Sequence, residues 1–139
     1  MTNPFCGLCT ESFNIYNKLL KNNNDIQINF IFSVPNDITN PGMQIAVTIL
    51  NIYFKESDEN ALIALEEWYL KREILKWQST YGKPIKIDEE IFLILKNQQN
   101  WLHVNDITNT PWTFINDYYY PKAYNIEDLI YFIDDLKIS

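Results

Sequence analysis

The chain has 139 residues, 47% apolar and 15% aromatic, with 11 basic and 18 acidic side chains and a formal charge of −7. This length fits one domain, 1–139, and the apolar share is enough for one core, which argues against a disordered segment. The acidic balance without a Lys/Arg cluster argues against a nucleic-acid interface, no apolar run reaches the ~18–20 residues of a membrane helix, and the polar start shows no signal-peptide pattern.

Asn3 and Pro4 read as an approach turn, after which the pattern becomes helical. Cys9, Phe13, Tyr16 and Leu20 fall at i, i+4, i+7 and i+11, one stripe of a helix that ends in the turn formers 22–25. Residues 26–34 alternate Ile26, Ile28, Phe30 and Phe32 against Gln27, Asn29, Ile31 and Ser33, the period of a strand. Pro35, Pro41 and Gly42 mark a loop. A helical block follows: one helix over 43–54 and a second over 58–80. Asp58 and Glu59 favour its start, and Leu62, Leu65, Trp68, Tyr69, Arg72 and Leu75 keep the helical period. Residues 81–84 stop it. A third helix is predicted over 88–101, with Ile91, Leu95 and Gln98 at helical spacing. Strands at 112–115 and 118–120 flank a two-residue turn, Asn116-Asp117. Asn125 caps a last helix, whose buried face is Ile126, Leu129, Ile130, Ile133 and Leu136. Trp68, Tyr69, Trp77 and Trp101 sit at helical positions expected to face the core.

The two cysteines are spaced Cys6-Gly7-Leu8-Cys9, which brings the thiols within bonding reach across one helical turn. Cys6 falls at the predicted helix N-terminus, where unpaired amides and the positive dipole end favour a thiolate, the attacking species in disulfide exchange. Cys9 lies one turn in, on the apolar stripe. The asymmetry assigns Cys6 as nucleophile and Cys9 as resolving thiol. Other readings of the pair are a structural disulfide, two inert thiols, or half of a zinc site. The last lacks ligands, because His103 is the only histidine, so no metal is expected. No organic cofactor is implied, since the cysteine pair itself carries the redox equivalent.

The segment 3–9, with an aromatic before the first cysteine, resembles the active-site segment of thioredoxin-fold oxidoreductases. Thr110-Pro111, followed by a short strand, Asn116 and a closing helix, resembles that family's cis-proline loop. The helical block, about 39–82, looks like the insertion of bacterial Dsb-type oxidoreductases. The ending, 110–116 with Tyr120-Pro121 and 124–129, is closer to the thioredoxin-like domains found with bacterial vitamin K epoxide reductase homologues. The resemblance implies an α/β thioredoxin-like fold with an inserted helical subdomain and a protein-disulfide oxidoreductase. Cys6 and Cys9 would be the redox pair, with Thr110, Pro111, Gly7, Leu8 and Trp112 facing the substrate. Trp112 either lines the groove or joins the core. Protein thiols or disulfides would be the substrates, a membrane or soluble protein the redox partner, and an extracytoplasmic compartment the setting.

The chain departs from the family pattern in three respects. Gly7-Leu8 stands where thioredoxin has a proline and strongly oxidising Dsb proteins a histidine, so the reduction potential is not readable. Trp112 stands where a small polar residue is commoner. The third, before Cys6, is the most serious. Only five residues precede Cys6, and Pro4 cannot donate a ladder hydrogen bond, so the first central strand is missing. Either the chain is a truncated piece or a neighbour supplies the strand, and the open sheet edge invites self-association. The competing function is a redox-inactive thioredoxin-like module that binds protein without turning over.

Overall fold

The computed structural model describes residues 1–23 and 26–107, and the backbone of two short strands beyond them. The first helix, α1, spans Gly7–Asn22. Its approach is an Asx turn: the Phe5 amide donates to Asn3 Oδ1 at 2.9 Å, and the Cys6 amide donates to the Asn3 carbonyl at 3.0 Å. Cys6 is the N-cap, in extended conformation.

Helix α2 spans Pro41–Lys55, two residues earlier than the apolar period alone places it. Asn40 accepts from the Gly42 and Met43 amides at 2.9 and 3.2 Å, and Pro41 occupies the first helical position, where a missing N–H costs nothing. Met43, Ile45, Ala46 and Val47 have no exposed surface, so α2 is a core helix enclosed on several sides. Helix α3, Asp58–Lys71, is capped by Ser57, whose hydroxyl accepts from the Asn60 amide at 3.0 Å. Its Ala61 and Ala64 are buried, and small side chains allow close approach to α2, the most extensive helix–helix packing among the described helices.

The single helix expected over 58–80 is two helices. Arg72 adopts the left-handed conformation, φ 55° and ψ 34°, and its amide closes α3 on the Trp68 carbonyl at 2.7 Å. Helix α4 restarts at Ile74–Tyr81 and ends at Gly82, whose φ of 91° suits glycine. Leu75, expected on the buried stripe, is 82% exposed because the break rotates α4 out of the α3 register. Helix α5, Glu89–Val104, buries Ile91, Leu95 and Leu102, whereas Trp101, expected in the core, lies at the surface.

The α/β expectation is overturned. Among the described residues the chain is a packing of five helices with no central sheet. Residues 26–30 and Phe32 follow the expected alternation, with Gln27 and Asn29 exposed and Phe32 buried, but Ile31, expected outward, is half-buried against Met1, Leu102 and Ile107. Among the described residues the segment 26–34 forms no ladder, and its one bridge there is a parallel one between Thr2 and Phe32. Side-chain amides of α5 take the place of a strand. The Phe32 amide donates to Gln98 Oε1 at 2.9 Å, and Gln99 Nε2 donates to the Val34 carbonyl at 2.6 Å. Among the described residues the helical block from α2 to α5 is the body of the packing, with no sheet into which a segment 39–82 could be inserted.

Phe114–Ile115 and Tyr118–Tyr119, β1 and β2, pair antiparallel with Phe114 opposite Tyr119 and Ile115 opposite Tyr118. The expected substrate loop Thr110-Pro111, Trp112, the Asn116-Asp117 turn and the last helix lie outside the described residues. One core joins Cys9 and Phe13 of α1 to α2, α3, Trp77 of α4 and Ile91 and Leu95 of α5. Each fully buried large side chain contributes about 1.5–3 kcal/mol. No helix among the described residues is long and apolar enough to cross a membrane.

Candidate functional site

The helix start places the two cysteines in different surroundings. Cys6, at the N-cap, is half-buried, while Cys9, in the first turn of α1, is 1% exposed within the core. Positions i and i+3 share one helix face. Both residues are thiols in this structure. Phe5 and Leu8 flank the pair at the surface, 46% and 65% exposed.

The loop that delivers Cys6 is held by α3. Trp68 is fully buried, and its indole Nε1 donates to the Pro4 carbonyl at 2.7 Å. The Tyr69 hydroxyl donates to the Asn3 carbonyl at 3.3 Å and also bonds Thr2 Oγ1. Phe5 meets the Trp68 ring edge-on at 5.2 Å between centroids, and Phe13 of α1 stacks on Tyr69 at 5.0 Å. Neighbouring residues of one helix thus grip three consecutive residues, Thr2 to Pro4, just upstream of the N-cap. Burial pushes the Tyr69 hydroxyl well above its ordinary pKa; nearby Cys9 and Cys6 add to the rise, while Arg72 opposes it.

Arg72 completes the surroundings. Its Nη1 lies 3.9 Å from where a side-chain carbon on Gly7 would sit, so the guanidinium stands over the residue that follows Cys6. Three lysines make ion pairs, Lys21 with Glu66, Lys55 with Asp88 and Lys76 with Glu73, whereas Arg72 makes none among the described residues.

Of the expected site residues, the structure brings together Cys6, Gly7, Leu8 and Cys9; Thr110, Pro111 and Trp112 fall outside the described part. His103 lies exposed in the last turn of α5, beside a cleft of about 550 Å³ that includes Asn3, Pro35 and Asp106. Among the described residues no group of three His, Cys, Asp or Glu is placed to hold a metal. Arg72 and the polar atoms of Trp68 and Tyr69 were not legible as parts of the site. The one available signal was that Arg72 is the sole arginine in the sequence. Compared with known proteins, the chain matches no family model, no curated protein and no solved structure.

Proposed function

We propose that the chain exchanges disulfides with protein substrates, with Cys6 as attacking thiolate and Cys9 as resolving thiol. The supporting observation is the asymmetry of the pair: one sulfur at the accessible N-cap, the other one turn inside the core. Free amides at a helix start stabilise an anion there, and the buried thiol is shielded from solution reagents.

The chemistry balances without a cofactor. The Cys6 thiolate attacks one sulfur of a substrate disulfide, forming a mixed disulfide and expelling the other substrate sulfur as a thiolate, which takes a proton. Cys9, once deprotonated, attacks the Cys6 sulfur and expels the second substrate thiolate. The substrate gains two electrons and two protons, the pair loses them, and oxidation of a substrate dithiol is the same path reversed. A second thiol–disulfide protein, membrane-bound or soluble, restores the pair. Exposed Phe5 and Leu8 offer apolar contact to substrate residues flanking the target cysteine.

Equilibration in glutathione buffers with thiol trapping tests this. A reversible Cys6–Cys9 disulfide is expected, near about −270 mV for a reductant or about −120 mV for an oxidant. Cys9→Ser should accumulate a glutathione mixed disulfide on Cys6, while Cys6→Ser should not. Absence of any reversible disulfide overturns the proposal and leaves the Phe5–Leu8 rim as a binding surface.

A further inference from the structure

We infer that Arg72 is the counter-charge of the Cys6 thiolate, a positioning residue held over the start of α1 by the left-handed turn that ends α3. The inference rests on the thiol-exchange function proposed above and extends it to a residue on another helix.

Three observations carry it. The first is placement: the guanidinium reaches within 3.9 Å of a side-chain position on Gly7, the residue that joins Cys6 to the helix. Second, the backbone of Arg72 has φ 55°, a conformation for which glycine is the usual helix-ending choice. The third is chemistry. Every other basic side chain but His103 is a lysine, and Arg72 is the only arginine. Unlike a lysine ammonium, a guanidinium keeps its charge under desolvation, and its donors lie in a fixed plane.

The neighbouring groups leave the role to Arg72. On α1 Cys9 is buried, Glu11 in the next turn is an exposed anion, Tyr16 is buried, and Lys18 and Lys21 lie toward the far end of the helix, Lys21 paired with Glu66. On α3 the Tyr69 hydroxyl stays neutral through the physiological range, and at the start of α4 Glu73 is engaged with Lys76. The Met1 amino group, drawn down to about 6 by burial, interacts with Cys9. Lys71, exposed in the last turn of α3, acts on Glu73, which leaves Arg72 as the permanent positive charge placed over the start of α1. It acts at two steps, favouring Cys6 as the thiolate that attacks and again as the thiolate that leaves when the pair is reduced. Stabilising that thiolate stabilises the reduced pair, which makes the pair a stronger oxidant.

The test is the pH profile of Cys6 alkylation by iodoacetamide in a Cys9→Ser background, together with the glutathione equilibrium of the two-cysteine protein. An opposite charge a few ångströms away moves a thiol equilibrium by about tenfold or more. Arg72→Gln should therefore slow alkylation near neutral pH by roughly tenfold while keeping the fast plateau at high pH, because only the thiolate fraction changes. The same change should move the redox equilibrium toward the disulfide by a comparable factor. Arg72→Gly, which accepts the left-handed backbone, should reproduce the loss, and Arg72→Lys should restore part of it. A profile that Arg72→Gln and Arg72→Gly both leave unmoved overturns the inference, even where the wild-type pair proves reversible. A wild-type pair that forms no reversible disulfide sinks the exchange function, and the alkylation profiles still decide whether Arg72 controls Cys6 acidity.

Discussion

A single hydroxyl shows how much the site depends on burial. Tyr69 is 3% exposed, bonded to the Thr2 side chain and the Asn3 carbonyl, and its proton is held far more tightly than in an unfolded chain. Tyr81 is shifted the same way, to about 12, by its own burial and by the Glu67 carboxylate that accepts its hydrogen bond. An unfolded tyrosine titrates near ~10. Below that pH both states hold the proton and the contribution is fully present. As pH rises above about 10 the unfolded chain releases protons that the native chain keeps, so stability falls. Urea unfolding followed from about pH 9 upward should show the midpoint declining once the pH passes about 10. Tyr69→Phe should be less stable at neutral pH, having lost its hydroxyl bonds, and should show a shallower decline. An equally steep decline in Tyr69→Phe would mean that Tyr69 does not titrate with unfolding.

At the scale of elements, the segment 26–34 shows what a period can and cannot say. Alternation marked Phe32 as inward, and Phe32 and Val34 are 2% and 6% exposed, but it set Ile31 outward, whereas Ile31 packs on the cluster of Met1, Leu102 and Ile107. The period carried no information about what would bind the backbone, and here two glutamines of α5 and Thr2 do so instead of a neighbouring strand. Gln98 was visible only as a position on a helical stripe. Gln98→Ala should leave the Phe32 amide without its acceptor and cost about 1–3 kcal/mol in chemical unfolding. A loss of a few tenths would mean that water or a rearranged neighbour satisfies that amide. Helix starts were more legible, because Ser57 and the acidic first turn of α3 are local signals. The break at Arg72 was not, because no glycine, proline or asparagine marks it and the apolar residues Ile74 and Leu75 carry the helical pattern straight through.

Across the whole molecule, the cysteine spacing was readable and the arrangement around it was not. Trp68 and Tyr69 are core residues as expected, yet their polar atoms also fix the loop before Cys6, a role that appears only when α3 is laid against α1. Arg72 belongs to the same class, its place decided by tertiary packing and by one left-handed residue. That residue has a further consequence. A protease specific for arginine can cut this chain at one bond only, between Arg72 and Glu73. In the native state the side chain is half-buried and the Arg72 amide is tied to Trp68, so cleavage must wait for the joint between α3 and α4 to open. When opening and closing are faster than cutting, the digestion rate measures the fraction of molecules in which that joint is open. Slow appearance of two fragments is expected, rising with mild denaturant. Immediate cutting would mean that the joint is already open in solution. The sole arginine thus gives this protein a built-in proteolytic clock at the place where its helices part.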